Sequence, residues 1–256
     1  MKTFKHSGAY GDLIYSLSVV KALGGGEFHL HLDQINWIGL HYYGAAPDPV
    51  HQGRLTESDY KFLKPLLMAQ EYIKDFKILD RNSCVTHNLD SFRVRFVGHP
   101  TNYIFLYWED FIKGRAPITK EEFGLASFLT VPEPKKVEGR PIAINRTLRW
   151  LPPNLSTMWN EWREQGIDQQ CFFLGTEQEH LKFQTEIGWY IPHQKVNNAL
   201  ELAQYIQGSD YLIANQSSCL SIAVGLGKKF YCEYRRDLPF NRNECNFEFR
   251  PEANYF

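Results

Sequence analysis

Hydrophobic and polar positions along this chain switch repeatedly between a strand period of two and a helical period of three to four. Residues 3–6 read as a short strand, 7–11 as a small-residue turn, and 12–23 as an apolar-periodic helix stopped by Gly24, Gly25 and Gly26. A strand over 27–32, a helix over 57–72 with Thr56 as N-cap, a strand over 76–79 and helices over 103–112 and 120–129 follow. A Pro- and charge-rich break at 130–141, with Pro132, Pro134, Lys135, Lys136 and Gly139, reads as a linker. Beyond it the order is regular: strand 142–145, helix 154–165, strand 170–174, helices 177–183 and 199–207, strand 211–214, helix 217–226, strand 229–232. The tail, 235–256, shows no clear helical pattern.

Strands alternating with helices imply parallel pairing through right-handed crossovers. The predicted class is α/β, with two Rossmann-like domains, 1–133 and 134–256, facing a cleft. In open parallel sheets ligands sit beyond the carboxyl ends of strands, which directs attention to residues 7–12, 146–150, 175–177, 215–218 and from 233 onward. The long aromatic loop 33–54, with Trp37, His41, Tyr42 and Tyr43, reads equally as a substrate wall or lid and as a surface insertion.

Composition narrows the class. A 43% hydrophobic chain of 256 residues can bury ordinary cores. A formal net charge of -1 argues against a broad footprint for nucleic acid or anionic membranes. Aromatics make up 15%, which suits large cores better than stacking surfaces. Cys84, Cys171, Cys219, Cys232 and Cys245 are odd in number and widely spread, so neither a disulfide framework nor a zinc site is indicated. No apolar run approaches the roughly 20 residues that span a bilayer. The expected location is a reducing cytoplasm.

The loops after the strands carry the candidate chemistry. Gly8 and Gly11 flank a turn that brings backbone amides to a helix start, and Asp12 sits in the first turn, where the macrodipole favours an ionised carboxylate. Asp12 is either a general base for a hydroxyl or a helix-capping residue. His6 either orients a ligand or is a buried, hydrogen-bonded histidine. Arg146 and Arg149 either clamp a diphosphate or form surface salt bridges. Asn215, Gln216, Ser217 and Ser218 combine side-chain donors with helix N-terminal amides, which suits an anion and equally a capping turn. Asp90 and Arg93, flanked by Leu89 and Phe92, read as a structural ion pair beneath the cleft. His29, His31 and Asp33 share one face of a strand taken as an edge strand, where solvation is the better reading than metal binding. No Asp-x-Asp triplet is present to hold a divalent ion against a sugar nucleotide.

Three blocks together resemble the GT-B glycosyltransferases of the ADP-heptose:lipopolysaccharide heptosyltransferase type, especially their short bacterial and phage relatives. The first is Gly11-Asp12-Leu13-Ile14-Tyr15-Ser16-Leu17, similar to the family's Gly-Asp opening helix. The second is 142–150 with Pro152, then Cys171-Phe172-Phe173-Leu174-Gly175 and Glu177. The third is 202–226, similar to a strand running into a phosphate-binding helix start. Three positions depart: Ser18 stands for a proline, Gln216-Ser217-Ser218 for an Asp-Ser/Thr-Gly turn, and Ser221 for a histidine. The C-terminal helix that returns to the first domain in larger relatives has no counterpart in the tail, which leaves open how the halves are held together.

The resemblance implies an inverting, metal-independent glycosyltransferase with no cofactor beyond a nucleotide-diphosphate sugar as co-substrate. Residues 1–133 would take a glycan or other hydroxyl acceptor and 134–256 the donor. Asp12 would be catalytic; Gly8, Gly11, Arg146, Arg149, Gln216, Ser217 and Ser218 would bind the donor; His6, Tyr10, Asp90 and Arg93 would lie on the acceptor side. The alternatives are a non-catalytic sugar-nucleotide or glycan-binding protein on the same scaffold and a phage enzyme glycosylating DNA bases, against which the near-neutral charge argues. Oligomeric state stays open.

Overall fold

The computed structural model describes residues 1–32, 55–80, 82–92, 102–149, 151–152, 154–234 and 247–256. In the first half, β1 (Thr3–His6), α1 (Tyr10–Ala22), β2 (Gly26–Leu30), α2 (Glu57–Met68), β3 (Ile73–Ile78) and β4 (His87–Asn88) build a parallel sheet of order β3-β2-β1-β4. The capping box of Thr56 and Asp59 starts α2 where expected. Strand β2 lies between β3 and β1, so it is interior and not the edge strand read from the sequence. His29 is accordingly buried and hydrogen-bonded to Glu27.

The helix expected over 103–112 is α3 (Tyr103–Tyr107) running into a π-helical turn, Trp108–Ile112. The next, α4 (Lys120–Leu125), ends before the expected 129 because Phe128 and Leu129 donate their amides to Gly225 O in the other half. A Cβ at Gly225 would come within 2.8 Å of both side chains, so the approach requires glycine. Tertiary contact has overridden local helical preference there.

The second half contains β5 (Ile142–Asn145), α5 (Met158–Glu164), β6 (Cys171–Phe173), α6 (Glu177–Ile187), α7 (Ala199–Gly208), β7 (Tyr211–Asn215), α8 (Ser218–Leu226), β8 (Phe230–Glu233) and β9 (Ala253–Tyr255). All pairs in the sheet β6-β5-β7-β8-β9 are parallel. Strand β9 has no signal in the sequence beyond its own three residues.

The halves meet helix to helix: α1 packs along α8, and α2 along α7. Leu13 to Val20 of α1 are therefore buried without interruption, and side chains of both halves form one apolar cluster. A second cluster, around Trp159, Phe173, Phe183 and Trp189, lies behind the second sheet. The Pro-rich break is tied down: Gln70 bonds Thr130 N and O, Gln204 Nε2 donates to Pro132 O, and Lys135 N donates to Gln204 O.

Residues 247–256 of the tail join the halves, and no helix lies among them. Buried Arg250 donates to Val224 O at 3.1 Å and Ala126 O at 3.0 Å, the carbonyl ends of elements from opposite halves. Phe249 packs on Phe105, and Phe247 on Tyr15. Among the described residues no helix is long and apolar enough to cross a membrane.

Candidate active site

The carboxyl ends of both sheets border a cleft of about 780 Å³. The first half contributes Ala9, Tyr10, Gly11, Leu55 and Phe62, and the second contributes three strand-end loops. One wall is set up for an anion. Ser217 caps α8, its hydroxyl accepting from Leu220 N, and no acidic residue stands in the first turn, so the positive helix end is uncompensated. Ser217, Ser218 and Cys219 line the cleft there. Arg149 lines it from the loop after β5, exposed and without a carboxylate partner among the described residues. Cys219 is buried there, and burial pushes its thiol pKa above the ordinary range.

Asn215, at the end of β7, holds that loop. Its Oδ1 accepts from Thr147 N at 3.0 Å and Thr147 Oγ1 at 3.3 Å, while Nδ2 donates to Thr147 O at 3.2 Å and Arg149 O at 2.6 Å. Beside it, Gly175 turns the chain out of β6 at φ +146°, where a Cβ would meet Glu179 Oε2 at 2.8 Å and Phe173 Cε1 at 2.9 Å. Thr176 and Glu179 form the capping box of α6. Glu177 pairs with Lys195, which holds the Glu177 carboxyl below its ordinary pKa. His193 bonds Gly175 O at 2.8 Å and packs on His180, whose pKa burial lowers.

The opposite wall rests on a polar network. Asp90 Oδ1 accepts from Ser7 N at 3.0 Å and Ser7 Oγ at 2.8 Å, and Lys5 lies 3.7 Å from Oδ2. His6 is fully buried, with Nδ1 accepting from Gly8 N at 3.2 Å and Nε2 lying 3.2 Å from Tyr107 Oη. The Tyr107 hydroxyl donates to Asp12 O at 3.1 Å, bracing the first turn of α1. Asp12, expected to be catalytic, is half-buried next to Gly11 and is not among the residues that line the cleft. Tyr10 stacks on Phe62 at 5.9 Å with 8° between ring planes, and its hydroxyl donates to Asp59. Burial first, and then Asp59, push the Tyr10 pKa far up, so it stays protonated.

Ala9 has φ 35°, a left-handed strain for a residue with a Cβ, at the cleft edge. Ala9→Gly is expected to raise Tm by about 1–4 °C. A lower melting temperature in calorimetry would show that the strain is compensated.

Among the residues expected from the sequence, Tyr10, Gly11, Arg149, Ser217 and Ser218 converge on the cleft. Arg146 does not: it is buried, donating to Glu233 at 2.6 Å and Glu186 at 2.6 Å, because successive residues leaving β5 point to opposite faces. Neither the diphosphate clamp nor a surface salt bridge describes it. Gln216 is also buried away from the cleft lining, with no partner for Oε1 among the described residues, and Asn215 spends its amide on the loop and not on an anion. Gly8, His6 and Asp90 lie beneath the wall. Asp90 pairs with Lys5; Arg93, like Trp150 and loop 33–54, falls outside the described residues. Phe62, His193 and Lys195 were not singled out from the sequence, since each joins the cleft from a distant segment. Among the described residues no three His, Cys, Asp or Glu side chains gather as a metal-ligand group.

No protein-family model matches the chain, and no curated protein does. Solved structures share its architecture, among them the two that follow. The glycosyl transferase family 9 protein from Veillonella parvula DSM 2008 aligns with TM-score 0.63 at 8% identity, over 99% of this chain and 84% of that one. The E. coli heptosyltransferase WaaC with ADP aligns with TM-score 0.53 at 11% identity, over 100% and 92%. Identities this low speak to fold: the chain has the GT-B-like arrangement of two parallel α/β halves about a cleft.

Proposed function

We propose that this protein is a glycosyltransferase that moves a sugar from a nucleotide-diphosphate donor to a hydroxyl acceptor, with inversion and without a divalent ion. The observation that carries the reading is the cleft itself, with Arg149, unpaired among the described residues, and the α8 N-terminus on one wall and the start of α1 on the other. The fold likeness adds nucleotide sugars as the ligand class to try first, since WaaC was solved with ADP; fold by itself does not assign chemistry.

In this mechanism Asp12 takes the proton of the acceptor hydroxyl as its oxygen bonds to the anomeric carbon. The bond from that carbon to the diphosphate oxygen breaks on the opposite face, which inverts the configuration. The electron pair leaves with the nucleoside diphosphate, whose growing charge meets the Arg149 guanidinium and the α8 amides. Asp12 then loses its proton to water.

Thermal melts with ADP, UDP and GDP and their sugars, in EDTA, test the donor site, because a ligand of the native state alone raises Tm. A shift in EDTA is the expected result; no shift with any of them would sink the reading. Arg149→Ala is expected to weaken binding of the active nucleotide about tenfold or more by titration calorimetry, and unchanged affinity would remove Arg149 from the site. Gln216, standing where the family carries an acid, motivates a second reading, a non-catalytic binding protein. Nucleotide binding without turnover and tolerance of Asp12→Ala would favour it.

A further inference from the structure

The ladder between β5 and β7 ends at Asn145 and Ala214; Asn215, the last residue of β7, continues the ladder only with Glu233 of β8, and the chain then turns into α8. Past Asn145 the chain leaving β5 has no further ladder partner in β7. The Asn215 side chain takes its place, offering a carbonyl and an NH₂ where a strand would offer C=O and N–H. Asn215 is 0% exposed, and its four contacts run to Thr147 and Arg149. Helix α8 does not depend on this amide, because Ser217 caps it.

We propose that Asn215 is a positioning residue, a latch that holds the Arg149 loop in register with the N-terminal turn of α8 so that both act on one anion. The proposal rests on the reading of the cleft as a nucleoside-diphosphate site. Only asparagine has the length and the paired donor and acceptor for this task. Aspartate keeps the acceptor but turns a carboxylate toward the carbonyls of Thr147 and Arg149, and alanine removes every contact. An unlatched loop leaves Arg149 charged and present but misplaced, and displacements of about 1 Å cost up to a hundredfold at positioned groups.

The test uses the full chain as wild type, Asn215→Ala, Asn215→Asp, Arg149→Ala and the double variant Asn215→Ala/Arg149→Ala. Hydrogen exchange of the peptide covering 147–149 reads the latch directly, and titration with ADP, UDP and GDP reads its consequence. Both Asn215 variants are expected to exchange faster at 147–149 and to bind the nucleotide about ten- to a hundredfold more weakly. In the Arg149→Ala background the Asn215→Ala change should add almost no further loss, since the two residues then act through one contact. A purely structural asparagine would lower Tm while its affinity loss multiplied with that of Arg149→Ala. Such independent losses, or unchanged exchange at 147–149 in folded variants, would overturn the latch. Wild-type protein that binds none of the three nucleotides would overturn the site reading and the positioning role with it, even if the exchange data bore out the contact.

Discussion

Arg146→Ala should destabilise the protein by about 3–5 kcal/mol, lowering Tm by about 6–20 °C, while leaving the affinity of the folded protein for nucleotide within about a factor of two of wild type. The Arg146 and Glu233 side chains are 3% and 1% exposed, so neither charge is solvated by water. The guanidinium joins Glu233 at the end of β8 to Glu186 on α6, and Trp159 Nε1 donates to the same Glu233 carboxylate at 3.0 Å. Alanine would leave that carboxylate buried with one neutral donor. Arg146→Lys should recover only part of the loss, because one ammonium cannot reproduce the forked contacts to two carboxylates. Urea unfolding measures the first quantity and calorimetric titration the second. A stable Arg146→Ala protein that had lost its nucleotide would return Arg146 to the cleft.

Asp12→Asn should reduce turnover by about 100- to 10,000-fold, the range expected when a general base is lost, with nucleotide affinity retained. The asparagine keeps size and polarity at the helix start, and the contact from Tyr107 goes to the backbone carbonyl, which the substitution leaves in place. Loss of the negative charge from the first turn of α1 removes a helix-dipole contribution of about 0.3–1 kcal/mol. Single-turnover transfer from the donor found in the melts is the measurement. Full activity in Asp12→Asn would remove it as the base; a loss confined to nucleotide affinity would place it on the donor side. Arg149→Ala has the opposite expected signature, so the two variants together separate proton transfer from donor binding.

Much of the candidate site was legible in the loops after strands. Gly11, Arg149, Ser217 and Ser218 were all expected at such positions, and all line the cleft. The reading failed close by, at Arg146 three positions before Arg149 and at Gln216 one position before Ser217. Arg146 and Arg149 look alike in sequence, yet one enters a buried ion pair and the other remains exposed. Nothing local distinguishes them, since the partners of Arg146 lie 40 and 87 residues further along the chain. Gln216 and Ser217 differ for a similar reason, the direction each side chain takes as β7 turns into α8.

The sequence by itself determined the α/β class, the parallel order of elements and most helix starts, because period, caps and glycine stops act within a few residues. Thr56, Thr119 and Thr176 cap their helices wherever the sides of the cleft lie. Only the tertiary structure decided where helix α4 stops, that β2 is interior, that residues 253–255 become a strand, and that Arg250 joins the halves. Each of these depends on a partner far away in the chain: Gly225 for Phe128, β3 for β2, β8 for β9, Val224 and Ala126 for Arg250. Local propensities amount to tenths of a kcal/mol per residue, whereas a buried amide or guanidinium left unpaired costs about 1–3 kcal/mol or more, so long-range pairing prevails where the two conflict.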